Sequence, residues 1–263
     1  MKKYIIDDFG YCCSYENKIK MIKNIGFDGI FLNMRENKKP INLDIILEKI
    51  KICKKNNVDI LFAHLPIDER LNLFWSNGFS NKYFNEVVEN IRILYNNGVK
   101  SFVIHSYYKK VNNFHDNNII KTFFKLKEIT NKLDINIFIE NVDYFFQDKL
   151  VFENLSNTFN ICYDMGHENA FYLENQKNFI IDNFSDKIYA LHLHDNNGLK
   201  DEHKIPFSEN CNVDFLKLKK IKHIKSLPLT LESKMNKTND FFIAQQFLKE
   251  AFSSLLKIEK LLN

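Results

Sequence analysis

Glycine is scarce in this sequence, and a Gly-rich phosphate-binding turn is missing from it. The chain has 7 Gly and 4 Pro among 263 residues. The segment after the first apolar run reads Gly10-Tyr11-Cys12-Cys13-Ser14, which does not fit the GxGxxG pattern. This absence argues against an open α/β sheet that binds a dinucleotide.

Arginine is also rare, because only three of the 37 basic residues are Arg. The formal net charge of +4 is modest and spread along the chain. A protein that binds nucleic acid needs cations clustered against the phosphates. The composition therefore argues against a nucleic-acid partner and gives no sign of a membrane partner.

The sequence shows no disulfide pattern, signal peptide or transmembrane span. The five Cys are odd in number and include no CxxC pair, so a disulfide framework is not expected. The first ten residues, MKKYIIDDFG, place two Asp where a signal peptide needs an apolar run. No window approaches the roughly 18 apolar residues of a transmembrane span. We therefore expect a cytoplasmic protein.

Eight short apolar runs recur along the whole sequence. They are rich in Ile, Val, Phe and Tyr, and most are nearly continuous, as in strands buried on both faces of a parallel sheet. The runs occupy residues 4–9, 29–34, 59–66, 101–107, 135–142, 159–167, 188–195 and 228–233. We predict a β-strand in each.

The segments between these runs have the spacing of helices. Apolar residues recur three and four positions apart in 85–95, 118–130 and 240–262. Turn signals such as Asn96-Asn97-Gly98 separate helix from strand. Eight strands that alternate with helices predict an α/β fold, a single (β/α)8 TIM barrel, for which about 250 residues are typical. Since no linker interrupts the chain, we predict one domain over 1–263, with a helix after each strand.

Side chains that can bind a metal collect where the predicted strands end. In barrel enzymes the chemistry lies at these carboxyl ends and in the loops beyond them. Six of the eight His residues belong to this set. Its members are His64, His105, Glu140, Asp164, His167, His192, His194, Asp195, Asp201, His203 and Glu232. We interpret the other two, His115 and His223, as solvated surface residues.

Glu140 and Glu232 give the strongest indication of a cation. Each follows an apolar strand, so each carboxylate is expected to be buried in the barrel mouth, where a bare charge is strongly destabilising. Mixed His and carboxylate ligands suit a divalent ion of borderline hardness, Zn²⁺ or Mn²⁺. His64 or His105, taken alone, could instead be a hydrogen-bonded core residue. We interpret Cys162 as a small residue that packs in the core.

In their order and spacing, several short motifs resemble those of the xylose-isomerase-like barrels. This superfamily contains sugar and sugar-phosphate isomerases and epimerases, and endonuclease IV is a related branch. The resemblance covers nearly the whole chain. The motifs are Ile25 to Ile30, His64-Leu65-Pro66, Glu140-Asn141, Asp164-Met165-Gly166-His167, His192 to Gly198 with Asp201-Glu202-His203, and Leu231-Glu232.

The epimerases of this family hold one metal with Glu, Asp, His and Glu from strands five to eight. The resemblance therefore implies a metal site of Glu140, Asp164, His192 and Glu232. His192 is favoured over His194, because the first His of the motif is the ligand position. His167 would then contact the substrate.

More of these residues match the metal ligands of endonuclease IV than match those of the epimerases. Its three-zinc cluster would carry over onto His64, His105, Glu140, Asp164, His167, His192, Asp201, His203 and Glu232. The flanking sequence departs from the endonuclease, since Ser106-Tyr107-Tyr108 follows His105 and His194 stands where that enzyme has Asn. The segment from Pro206 to Asn210 replaces a Gly-rich turn expected in both branches.

These residues predict a metal-dependent isomerase or epimerase of a sugar, sugar phosphate or related polyol. Such an enzyme moves a proton on the carbon next to a metal-polarised carbonyl. Glu140 and Glu232 are the expected catalytic base and acid, because their strands are separated around the barrel. The residues expected to bind substrate or additional metal are His64, His105, His167, Asp201 and His203. Phe74 and Trp75 could either form an apolar surface over the sugar or pack within their loop.

Two alternatives remain open at this stage. One is an endonuclease IV-like zinc phosphodiesterase that acts on DNA. The other is a catalytically inactive metal-binding barrel, which the missing Gly-rich turn favours and the two retained Glu residues disfavour. The family resemblance also implies that a homodimer could form.

Overall fold

The computed structural model describes residues 1–34, 42–111 and 116–263 of the chain. These residues form eight parallel strands in one sheet, in the order β7-β6-β5-β4-β3-β2-β1-β8. The strands are β1 (Lys3–Ile6), β2 (Gly29–Asn33), β3 (Asp59–His64), β4 (Ser101–His105), β5 (Asn136–Glu140), β6 (Asn160–Asp164), β7 (Ile188–His192) and β8 (Leu229–Leu231). The predicted TIM barrel is therefore confirmed.

Helices connect most of these strands, and their apolar faces pack on the barrel. In α4, for example, Phe84, Val87 and Ile91 are buried, as their three- and four-residue spacing predicts. The helices are α1 (Tyr15–Ile25), α2 (Leu43–Lys55), α3 (Leu73–Ser76), α4 (Lys82–Asn96), α5 (Asp116–Thr130), α6 (Phe145–Leu155), α7 (Met165–Phe171), α8 (Phe179–Phe184) and α9 (Phe241–Leu262). Across the described ranges, no helix is both long enough and apolar enough to cross a bilayer.

The sheet closes between its edge strands, β7 and β8. Leu193 and Leu231 form an isolated parallel bridge. The backbone N–H of Leu193 donates to the carbonyl of Thr230, and that of Glu232 donates to the carbonyl of Leu193, each at 2.9 Å. These bonds bring the ends of β7 and β8 together at the carboxyl side of the barrel.

Each strand ends one to three residues earlier than its apolar run predicted. β3 ends at His64 and β6 at Asp164, whereas the runs extend to positions 66 and 167. The residues just beyond the strands, such as Leu65 and Met165, are also buried. Burial therefore continues past the hydrogen-bonded ladder, and hydrophobicity alone cannot mark the strand's end.

The prediction of a helix after every strand is wrong at β7. A long loop follows this strand and leads to two 3₁₀ turns, Phe215–Lys220 and Ile224–Ser226. The loop is rich in Asn, Asp and other polar residues, which favour turns over helix. One side chain hydrogen-bonds to the backbone of this loop. The Asp195 carboxylate accepts from the N–H of Phe207 at 2.8 Å and from the N–H of Val213 at 3.1 Å.

Residues other than glycine adopt left-handed backbone conformations in the segment that replaces the expected Gly-rich turn. Phe207 has φ of 68° and Asn210 has φ of 59°. Asn tolerates this region, whereas for a bulky Phe it is an outlier that the surrounding structure must hold. The hydrogen bond from the Phe207 N–H to Asp195 helps to stabilise this backbone conformation.

Phe74 and Trp75 lie in α3, and both are fully buried. The indole N–H of Trp75 donates to the carbonyl of Ser106 at 2.8 Å. The structure therefore confirms that this pair packs within the loop.

Of the two His expected at the surface, His115 lies outside the described residues. His223 is half-buried, with Nε2 2.7 Å from the carbonyl oxygen of Ile188, so it is not simply solvated.

Candidate metal centre

The carboxyl ends of the last four strands bring four predicted site residues together. Glu140, Asp164 and His192 end β5, β6 and β7, and Glu232 directly follows β8. One ligand atom from each of the four lies within 4.8 Å of the others. All four side chains are buried, with 0% of their surface exposed. We call this set the primary centre; its geometry could hold one metal ion.

The charge of the primary centre requires compensation. It contains three carboxylates and one imidazole, and the imidazole Nδ1 of His192 lies 2.9 Å from Glu140 Oε1 and 3.0 Å from Glu232 Oε2. Burial alone would raise the pKa of Glu140, but the positive charges of protonated His192, His105 and His64 hold that pKa well below its ordinary value. A divalent cation would supply the same compensation while the imidazoles stay neutral.

Two further His residues contact Glu140 from the neighbouring strands. His64 ends β3, and its Nε2 lies 2.9 Å from Glu140 Oε2. His105 ends β4, and its Nε2 lies 3.1 Å from the same oxygen. His64, Glu140 and His192 form a second group of residues whose ligand atoms lie within 4.8 Å of one another.

A third group lies where α7 and the loop after β7 meet. It consists of His167, His194, Asp201 and His203, and its ligand atoms also lie within 4.8 Å of one another. Asp201 Oδ2 lies 3.1 Å from His203 Nε2 and 3.5 Å from His167 Nε2. We call this set the loop centre.

Backbone carbonyls fix the ring orientation of three of these His residues. In each ring, Nδ1 lies within 2.9 Å of a carbonyl oxygen. The pairs are His64 with Leu65, His167 with Asn141, and His203 with Glu232. A carbonyl can only accept, so each Nδ1 carries a proton and donates it. In the neutral ring, Nε2 then turns a lone pair toward carboxylate oxygens, an arrangement that fits metal ligation and is repulsive without a cation.

Asp164 belongs to the primary centre and also faces the loop centre, because its Oδ1 lies 3.1 Å from Nε2 of His194. It forms the N-cap of α7, where its Oδ1 accepts from the backbone N–H of His167 at 2.8 Å. Its Oδ2 is buried and makes no hydrogen bond with any described residue. His167 therefore lies in the first turn of α7 and not at the end of β6, which corrects the sequence prediction.

Sequence reasoning missed two residues that shape this region. The Asn141 side chain holds the backbone of Asp164, donating to its carbonyl and accepting from its N–H at 2.8 Å each. Gly166 packs directly against the ring of His194. The Glu-Asn and Met-Gly-His motifs contain both residues, but their roles depend on contacts across strands that a linear pattern does not show.

Comparison with known proteins identifies the family. The family model described as "Xylose isomerase-like TIM barrel" matches residues 19–251. The chain belongs to this family. The uncharacterized protein MJ1614 of Methanocaldococcus jannaschii is 38% identical over 125 residues, which cover 44% of this chain and 48% of that protein. The chain thus spans about half the length of that relative. A second relative, the uncharacterized protein y4fM of Sinorhizobium fredii, is 35% identical over 65 residues, which cover 24% of this chain and 20% of that protein.

Solved structures with the same fold include several epimerases. A D-tagatose 3-epimerase-like protein has 20% identity and a TM-score of 0.66, with 98% of each chain covered. D-allulose 3-epimerase from Methylomonas sp. has 14% identity and a TM-score of 0.69, with 97% of this chain and 96% of that chain covered. The 3-keto-D-glucoside 4-epimerase of E. coli has 14% identity and a TM-score of 0.68, with 99% and 100% covered. At these identities the likeness shows a shared fold.

A buried acidic residue with a raised pKa lies on α6. Oδ2 of Asp148 accepts from the Tyr172 hydroxyl at 2.6 Å and from the Val142 N–H at 2.9 Å. Burial raises the pKa of Asp148 to about 7 despite these hydrogen bonds. This carboxyl group is therefore about half protonated near neutral pH.

Asp148 should make the free energy of unfolding fall as pH rises from about 4 to about 7. In this range the folded protein keeps a proton that the unfolded chain, with an ordinary pKa of 3.8, has lost. The decrease is expected to approach about 1.4 kcal/mol per pH unit and to level off above pH 7. Urea unfolding of the wild type and of Asp148→Asn across this range measures it. The variant should lack this component, and equal slopes in both proteins would contradict the assignment.

Proposed function

We propose that this protein is a metal-dependent isomerase or epimerase of a sugar, sugar phosphate or related polyol. The observation that carries the proposal is the primary centre of Glu140, Asp164, His192 and Glu232, fully buried and within 4.8 Å of one another. Its mixed His and carboxylate composition suits Zn²⁺ or Mn²⁺. The named epimerases that share the fold support a keto sugar as the class of substrate.

The proposed chemistry is a proton transfer on carbon. A bound ion would polarise the substrate carbonyl and make the neighbouring C–H more acidic. Glu140 and Glu232 would then act as base and acid, because they come from β5 and from the end of β8 and so approach the centre from different sides. The ion would also keep both carboxylates ionised, and His192, whose Nδ1 lies within 3.0 Å of an oxygen of each, would be a further ligand.

Deuterium exchange tests this reaction directly. Metal-loaded protein in D₂O would be incubated with D-allulose, D-tagatose and L-ribulose, as free sugars and as phosphates. We expect deuterium at the carbon next to the carbonyl in at least one sugar, together with formation of an epimer or aldose. Exchange without metal, or no exchange with any ketose, would contradict the proposal. The second of these results would favour a barrel that binds metal without turnover.

A zinc phosphodiesterase that acts on DNA is the second candidate. The observation that favours it is the presence of two more groups of ligand atoms beside the primary centre, one of which shares Glu140. Nicking of a duplex oligonucleotide that contains one abasic site separates the two reactions. Zinc-dependent nicking without ketose exchange would replace the isomerase proposal with this one.

A further inference from the structure

The segment between β5 and α6 makes contacts on which the primary centre depends. It runs from Asn141 to Tyr144, directly after Glu140. The Asn141 side chain holds the backbone of Asp164 through two hydrogen bonds of 2.8 Å, and its carbonyl accepts from Nδ1 of His167 at 2.8 Å. A shift of this short segment would therefore displace two carboxylates of the primary centre.

A buried carboxylate on α6 holds this segment in place. Asp148 is 1% exposed, and its Oδ2 accepts from the backbone N–H of Val142, two residues after Glu140, at 2.9 Å. The same oxygen accepts from the hydroxyl of Tyr172, at the end of α7, at 2.6 Å. A charged acceptor makes both hydrogen bonds stronger than a neutral acceptor would.

Tyr107 fixes the other end of the segment. Its hydroxyl accepts from the backbone N–H of Tyr144 at 2.9 Å and donates to the carbonyl of the same residue at 3.2 Å. The ring is fully buried and packs edge-on against Trp75, with centroids 6.3 Å apart. The two ends of the segment are thus held by side chains from different parts of the chain.

The second oxygen of Asp148 is the place for a proton. Oδ1 is buried and makes no hydrogen bond with any residue that the structure describes. Burial raises the pKa of Asp148 to about 7, so both forms are present near neutral pH. The titratable groups around this carboxyl are Tyr107 and Asp143, after β4 and β5, and His167 and Tyr172 of α7 and its end. Protonation leaves Oδ2 a neutral and weaker acceptor for the backbone N–H that it holds.

We propose that Asp148 is a positioning residue, which aligns the primary centre through the backbone of Val142 and loosens that alignment when it takes up a proton. The ionised form holds Glu140 in place for metal binding, because a ligand fixed by its surroundings binds more tightly than a loose one. Asp148 acts through the segment after β5 and not by contact with metal or substrate. The proposal rests on the proposed function only in taking Glu140 as a metal ligand.

NMR of the metal-free protein tests the first step. The ¹⁵N–¹H signal of Val142 should shift with pH, with a midpoint near pH 7, as Asp148 ionises. This shift should be absent in Asp148→Asn. Tyr172→Phe keeps the carboxylate but removes one donor to its ionised form, so its midpoint should lie at higher pH. An equal shift of Val142 in the wild type and in Asp148→Asn would overturn the proposal.

Zinc affinity tests the second step. Competition with a zinc-binding dye would measure the dissociation constant of the ion that Glu232→Gln fails to bind. The affinity of the wild type relative to Asp148→Asn should rise from about 1 at about pH 5.5 to about 3–10 at about pH 8.5, near the low end for residues that support metal ligands. Protonation of the ligands themselves cancels in this ratio, because both proteins share it.

Asp134→Asn is the matched control, since this carboxylate is exposed just before β5. Its zinc affinity should equal that of the wild type at every pH. A wild-type to Asp148→Asn ratio that stays constant with pH would overturn the proposal, because a merely structural role predicts that result. Absence of bound zinc in the wild type would contradict the proposed function instead, and the Val142 signal would still decide whether Asp148 holds the segment.

Discussion

Glutamine in place of Glu140 is expected to lower turnover by about 10²–10⁴-fold, the usual contribution of a general acid or base. The substitution keeps the shape of the side chain but removes its charge and its ability to take a proton. The fold should persist, because the strands on either side keep their ladder. The measurement is kcat for any ketose that shows deuterium exchange, with circular dichroism as the check on folding.

Two comparisons separate proton transfer from simple loss of metal. Glu232→Gln should reduce turnover to a similar degree, whereas Glu153→Gln, on the exposed side of α6, should leave it unchanged. Zinc or manganese content measured on each variant shows whether the ion remains. A variant that keeps its metal and loses exchange supports a role in proton transfer. Near wild-type exchange in either site variant would exclude the mechanism of two carboxylates.

Removal of metal should lower the melting temperature by roughly 5–16 °C. A ligand present at 100 to 1,000 times its dissociation constant stabilises the folded state by about 2.7–4.1 kcal/mol. For a chain of this size, each kcal/mol corresponds to about 2–4 °C. The physical cause is the group of buried carboxylates, which repel one another once the cation has gone. Thermal unfolding with and without chelator, followed by zinc or manganese addition, measures the shift.

The control for this experiment is a protein that has lost a proposed ligand. Asp164→Asn should start from a lower melting temperature, and chelator should change it less than it changes the wild type. If chelator leaves the wild-type melting temperature unaltered, metal binding does not contribute to stability. The charge of the primary centre must then be balanced by protonated imidazoles and by Lys234, whose Nζ lies 3.9 Å from Glu232 Oε1.

Much of the barrel was predictable because each element leaves a local pattern. β5 and α4 show it well, since a continuous apolar run and a three- and four-residue spacing each reflect which faces are buried. The residues at strand ends were predictable for a related reason. A charged side chain at the end of a buried strand, such as Glu140, is rarely tolerated unless something neutralises it.

Other features depend on contacts that no linear pattern contains. The need for Gly166 arises from a ring 28 positions away in the chain. The loop after β7 lacks helical periodicity, and its path is set by the Asp195 carboxylate and by left-handed residues such as Phe207. The partners of Nδ1 in His167 and His203 were equally hidden, because carbonyls distant in the chain, those of Asn141 and Glu232, accept from them.

The closure of the sheet at β7 and β8 also fixes when, during folding, the primary centre can form. Its ligands come from β5, β6, β7 and the residue after β8, so Glu232 joins the other three only when the ends of β7 and β8 meet. Joining such distant segments is the slow, entropically unfavourable part of folding. We therefore expect an ion to bind this centre only after the ends of β7 and β8 have met. It should slow unfolding strongly and have little effect on the rate of refolding.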